Sequence, residues 1–158
     1  MTREDLKPFC TSPGWGRLEL AEPFSHGLCS YATNGHILIR VPRLADVNSE
    51  KGPPTDDLFA RAQSPPEWLD VPDPGPPLFD RCDCCGGQPG GCDECDWTGR
   101  LEPFTPIRVG GQYFQAKYLR LLRTLPGVKI GPTSEMKAAL FLFDGGDGLI
   151  MPCKHRQS

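Results

Sequence analysis

Apolar and polar positions alternate in short runs over most of this chain, and a single stretch keeps a helical period. Thr2–Phe9 predicts a short helix, with Thr2 as cap, Glu4 and Asp5 in the first turn, and Pro8 limiting its length. Thr11–Gly16 reads as a turn region, and Arg17-Leu18-Glu19-Leu20 alternates as a half-buried strand does. Gly27–Thr33 and His36–Val41 predict two more strands, joined at Asn34-Gly35 and ended by Pro42. Asn-Gly is a strong hairpin signal because both residues tolerate the positive φ of a type I′ turn.

Residues 45–79 carry no sustained period. Asp56–Ala62 predicts one or two helical turns there, and Trp68 and Leu69 are expected to pack down on the domain. Thr105–Val109 predicts a strand leading into the clearest helix, Tyr113–Leu125. At about 100° per residue, Phe114, Tyr118, Leu121, Leu122 and Leu125 share one face. Arg120 and Arg123 lie opposite, with Lys117 on the flank, and Pro126-Gly127 stops the helix. Val128–Ile130, Met136–Phe143 and Gly148–Met151 then predict strands, with a turn at Asp144-Gly145-Gly146 and Pro152 at the end.

The order helix, strand, strand, strand thus occurs twice. Aligned on Pro42 and Pro152, Asn34–Pro42 and Asp144–Pro152 each hold a turn dipeptide, an apolar strand and a proline at the same offset. The expected fold class is α+β, with two helix–strand–strand–strand units placing two helices over one face of a shared sheet. The expected division is a first half with a proline-rich linker over 1–78, an insert over 79–104, and a second half over 105–158.

Composition sharpens the picture at the join. Eight prolines fall between Pro53 and Pro77, the mark of a linker or irregular surface run. Five of the eight cysteines lie between Cys82 and Cys95. Cys82-x-x-Cys85 and Cys92-x-x-Cys95 are two matched pairs, separated by six residues of which four are glycine. Each pair suits a tight knuckle, and four thiolates make a closed tetrahedral zinc site with no open position for water or substrate. Cys82, Cys85, Cys92 and Cys95 are the candidate ligands. Cys84 could replace Cys82 or Cys85, and a redox dithiol or disulfide pair is the competing reading.

The same stretch, with Cys82-x-x-Cys85-x-Gly87 and Cys92-x-x-Cys95-x-x-Thr98-Gly99-Arg100, resembles one half of the cysteine-rich zinc domain of DnaJ-type co-chaperones. That resemblance implies zinc and a small β-rich knuckle. No J-domain signature accompanies it, so it carries no chaperone function. Tyr31-Ala32-Thr33-Asn34-Gly35-His36-Ile37-Leu38-Ile39 resembles the Ala-Thr-Asp-Gly-His stretch of bacterial sliding clamps, the β subunit of DNA polymerase III. Ile150-Met151-Pro152 is similar to the apolar-Met-Pro ending of that family, and Phe114–Leu125 followed by Val128–Gly131 fits the same unit. The resemblance implies a clamp-like fold, duplex DNA met through a helix face without sequence readout, and replication proteins as partners. A clamp protomer carries three such domains. A ring built from a one-domain chain would therefore need a homo-oligomer.

Function is bounded from several sides. The formal net charge is −3, so no overall positive field advertises nucleic acid, and Lys117, Arg120 and Arg123 are the candidate DNA contacts. A solvated face of an amphipathic helix is the plainer account of those three residues. The acidic residues Asp83, Asp93, Glu94 and Asp96 make the knuckle a poor phosphate binder and suit it to folding or protein contact. No Walker loop or nucleophile elbow occurs, and Asp144 and Asp147 are ordinary turn chemistry, so no enzyme is expected. His26, His36 and His155 are scattered, without ligand-spaced partners. No apolar run approaches bilayer length, no secretory h-region opens the chain, and isolated Cys10, Cys29 and Cys153 suit a reducing cytoplasm. The expectation is a non-enzymatic, replication-associated clamp-like protein that binds DNA or replication proteins. The alternative is a zinc-stabilised protein-interaction adaptor of clamp-like fold without DNA binding.

Overall fold

The computed structural model describes residues 1–11, 20–82, 84–88, 90, 98–134 and 136–155. The predicted Arg17–Leu20 strand falls largely outside them, as does most of the Thr11–Gly16 turn.

The chain opens with α1 (Arg3–Leu6), which runs into a 3-10 turn at Lys7–Phe9. Thr2 and Asp5 form a capping box across the first turn of α1. The strands β1 (Phe24–His26), β2 (Cys29–Thr33) and β3 (Ile37–Pro42) follow as an antiparallel meander. The proline-rich run holds α2 (Asp56–Arg61) and the two-residue β4 (Leu69–Asp70). A two-stranded ribbon, β5 (Asp80–Arg81) with β6 (Arg100–Leu101), closes the base of the cysteine loop. The hairpin β7 (Pro106–Val109) and β8 (Gln112–Gln115) leads into α3 (Ala116–Leu122). A second meander, β9 (Lys129–Gly131), β10 (Ala139–Phe143) and β11 (Gly146–Ile150), ends the fold.

Both meanders belong to one seven-stranded antiparallel sheet of order β1-β2-β3-β11-β10-β9-β4. They meet at β3 and β11, where Ile37, Leu38, Ile39 and Arg40 face Ile150, Leu149, Gly148 and Asp147. Strand alternation sends successive residues to opposite faces. Ile37, Ile39, Val41, Phe141, Phe143 and Ile150 lie on one face, packed with Leu6 and Phe9 from the first helix and Tyr118, Leu119 and Leu122 from α3. Burying each large apolar side chain of this kind contributes roughly 1.5–3 kcal/mol. On the other face, Phe24, Tyr31, Leu38 and Leu149 pack against Phe59 and Ala62 from the α2 region. Gly148 sits where the Phe141 ring crosses the sheet, and a Cβ there would collide with that ring and with the Leu38 carbonyl.

The fold is therefore mixed helix and sheet, mostly strand. Several sequence expectations need correction. The Tyr113–Leu125 helix is shorter, because Gln112–Gln115 pair with Pro106–Val109 as a strand with Gln112 and Phe114 buried. The cause is Gly110-Gly111, a hairpin dipeptide whose first glycine takes φ 61°. The Asn34-Gly35 hairpin forms, but its loop is longer than two residues, since Thr33 pairs with Leu38. The Asn34 Oδ1 accepts from the His36 and Ile37 amides at 2.9 and 3.1 Å, and Gly35, the loop's one glycine, takes a positive φ of 91°. The first strand of the opening meander among the described residues is Phe24–His26, a segment without alternation signal of its own. Met136–Phe143 is strand only from Ala139, and the returning strand starts earlier, at Gly146, because the Asp144-Gly145 turn is tight.

Candidate functional site

The second face of the sheet carries a pocket of about 230 Å³. Its floor is Leu38 and Leu149, opposed residues of β3 and β11. The β2–β3 loop gives it Gly35 and His36, while Pro53, Pro54, Thr55 and Leu58 form the opposite wall at the start of α2. Met151, just beyond β11, completes the rim. Leu58 and Met151 are 49% and 44% exposed there, while Leu38 and Leu149 are buried beneath them. Two prolines hold the approach to α2 extended, which lets this otherwise irregular segment stand as a wall.

The polar groups of the pocket are few. The His36 ring stacks on Tyr118 at 5.7 Å between centroids. Burial, with the nearby Lys117 ammonium adding to it, holds the His36 imidazolium form down and its pKa below the ordinary 6.5. Lys117 Nζ lies 5.0 Å from the Tyr118 ring centroid, a cation–π distance. Thr55 is 2% exposed and lies beside Tyr31. The described lining makes an apolar slot with the His36 imidazole at its lip.

The candidate DNA contacts lie elsewhere and are not a free stripe. Arg120 Nε donates to the Gly75 carbonyl at 3.0 Å, and its Nη1 donates to Glu102 Oε1 at 2.7 Å. Arg123 Nη1 donates to the Val71 carbonyl at 2.8 Å, with Asp73 at 3.9 Å from Nη2. These bonds fasten the residues on either side of the cysteine loop to α3. Lys117 remains exposed.

At the cysteine loop, Cys82 is fully buried with Cys85 packed against it. The Cys82 amide donates to the Gly99 carbonyl at 2.9 Å, and the Gly87 amide returns to the Cys82 carbonyl at 3.1 Å. These two bonds tie Cys82 to Gly99, beside the β5–β6 ribbon, and to Gly87. Cys92 and Cys95, with Asp83, Asp93, Glu94, Asp96 and Trp97, lie outside the described residues. Among the described residues, no group of three or more metal-binding side chains is assembled. Cys84 is exposed.

The remaining singled-out residues have structural partners. Cys10 is half-buried on the helix-covered core, where desolvation pushes its thiol up to about 11. His26 bonds the Glu50 carbonyl at 3.0 Å, and His155 stacks on Tyr113 at 4.7 Å. Arg40 and Asp147 form a bidentate pair across β3 and β11.

The pocket wall at Pro53–Leu58 was not legible as a site. Thr55-Asp56-Asp57 announces a helix start, but nothing local says that the segment folds back over β2 and β3. No helix among the described residues is long and apolar enough to cross a membrane. Comparison with protein-family models, with curated proteins and with solved structures finds no match.

Proposed function

We propose that this chain is a non-enzymatic, clamp-like docking module that holds an apolar peptide segment of a partner protein in the pocket between Leu38, Leu149 and α2. The observation that carries it is convergence. Tyr31–Ile39 and Ile150–Pro152, the two stretches that resemble sliding clamps, supply Thr33, Gly35, His36, Ile37, Leu38 and Met151 to one pocket. Apolar walls with a few polar groups are the usual composition of a binding site. The two meanders that meet at β3 and β11, with helices packed on one face, support a repeated clamp-like unit. Replication proteins are the partner class that the resemblance implies.

The cysteine loop fits a supporting role. Cys82 and Cys85 fit two ligands of a zinc site, with Cys92 and Cys95 as the other two. Zinc would fold the loop, and its closed ligand set leaves it no chemistry on a substrate.

DNA binding through Lys117, Arg120 and Arg123 has weaker support, because Arg120 and Arg123 already bond Val71, Gly75 and Glu102. It also needs several copies of the chain to encircle a duplex.

Selection of displayed peptides on the intact protein, compared with Leu58→Arg, tests the docking reading. Leu58 is exposed, so the substitution charges the rim without emptying the core. The expected result is a family of apolar peptides that lose binding to the variant. Peptides that bind both proteins equally would refute docking at this pocket.

A further inference from the structure

The β5–β6 ribbon sets two arginines against each other. Arg81 and Arg100 are Cα partners on it, so their side chains leave the same face. Like charges directly opposed across a strand pair destabilise it, and an anion set between them reverses the sign. Among the described residues, no ion pair holds either arginine. Asp80 alternates to the opposite face of β5, and Glu102 is taken by Arg120 Nη1 at 2.7 Å. Asp83, Asp93, Glu94 and Asp96 of the loop lie outside the described residues. Both arginines line one open cleft of about 580 Å³, together with Phe79, Gly86, Gly87 and Gly99. Arg81 Nε donates to the Gly86 carbonyl, which orients the guanidinium. A Cβ at Gly87 would meet the Arg81 stem, and one at Gly99 the Gly87 carbonyl, so this wall is kept as bare backbone. Phe79, two residues before Arg81, is 54% exposed.

We infer that this cleft binds single-stranded nucleic acid, with Arg81 and Arg100 on the phosphate backbone and Phe79 as the platform for a base. The inference goes beyond the docking reading and does not rest on it. Guanidinium forks match phosphate oxygens and hold them with charge-assisted bonds. An exposed aromatic beside a positive groove binds single strands without reading their sequence, because every base has a face to stack. A nucleotide carries both partners in one unit, the phosphate for the arginines and the base for the ring. A duplex keeps its base faces inside the stack, so it gains nothing from Phe79. With a formal net charge of −3 the whole chain exerts no long-range pull on a polyanion, so the affinity comes from the cleft's own groups.

The test is fluorescence anisotropy of a labelled oligothymidine of about twelve residues, titrated with the full chain at several salt concentrations. Arg100→Ala is expected to weaken binding and to flatten the slope of log affinity against log salt by about 0.7, the share of one phosphate contact on a single strand. Phe79→Ala is expected to weaken binding roughly tenfold, the loss of one stacked base, and to leave the salt slope unchanged. Arg100 forms no ion pair among the described residues and Phe79 is exposed, so both variants are expected to fold, which circular dichroism checks. A duplex of the same length is expected to bind more weakly than the single strand and to be indifferent to Phe79→Ala. No binding of the oligothymidine by the parent at low salt would overturn the inference. Equal binding of duplex and single strand with no effect of Phe79→Ala would overturn it too, leaving only charge attraction. Displacement of the strand by polyglutamate of equal length, at equal concentration, would overturn it in favour of an acidic peptide.

Discussion

Arg40 on β3 and Asp147 on β11 are Cα partners, and the guanidinium grips the carboxylate with two bonds of 2.9 and 2.7 Å. The Arg40 Cζ also lies 3.6 Å from the centroid of the Phe59 ring. One side chain therefore ties the two meanders together and presses the α2 region onto the sheet. Both side chains are about three-quarters covered, at 29% and 26% exposure, so solvent screens the pair only in part. Arg40→Ala is expected to cost about 1–2 kcal/mol, combining the bidentate pair and the ring contact. The shift in urea midpoint at constant slope measures it. A loss of a few tenths or less would mean that the meanders hold without this pair.

Arg120 joins Gly75 and Glu102, which precede and follow the cysteine loop. Arg120→Ala is expected to release both legs, raising the rate of limited proteolysis within 75–102 several-fold while the sheet stays folded. Glu102→Gln keeps the Gly75 bond and is expected to have the smaller effect. Equal cleavage of parent and Arg120→Ala would show that the legs are held by something else.

The zinc proposal predicts about one zinc per chain. Such sites contribute on the order of 10–16 kcal/mol in small zinc-finger peptides. Cys82→Ser is expected to release the metal and unfold the loop locally. The seven-stranded sheet should survive, because its core contains no residue of the ribbon. Metal content by mass spectrometry, set beside circular dichroism, reports both. Ordered, metal-free protein would defeat the proposal.

His36 predicts a pH dependence. Its folded pKa is depressed, first by burial and then by Lys117, so the unfolded chain takes up the proton first as pH falls. Stability contributed by neutral His36 is full above about 6.5, declines as pH drops through the folded value, and is lost below it. His36→Phe keeps the stack on Tyr118 and removes the titration. Unfolding at pH 8 and pH 5 should show a smaller acid loss for the variant. An identical loss in both proteins would place the acid sensitivity elsewhere.

Much of this was readable from local pattern. Asn34-Gly35 and Asp144-Gly145 announced their hairpins, and the helical spacing gave Tyr118 and Leu122 of the buried face of α3, though not the fully buried Leu119. What local pattern could not supply was partnership between distant segments. Phe114 fitted a helical face as well as a strand, and only pairing with Ile107 decides for strand. Arg120 and Arg123 looked like a solvated or DNA-facing stripe because Val71, Gly75 and Glu102 lie far off in sequence. The pocket was hidden for the same reason. Leu38, Leu149 and Thr55 come from three separate segments of the chain.

The most direct measurement is methyl and amide chemical-shift mapping of the full chain with a peptide taken from the display selection, and separately with a short DNA duplex. The account predicts that the peptide moves Leu38, Leu58, Leu149 and Met151 together, with little change at Lys117 and Arg123. Peptide shifts that avoid these four residues, with duplex-induced shifts concentrated on α3, would contradict it.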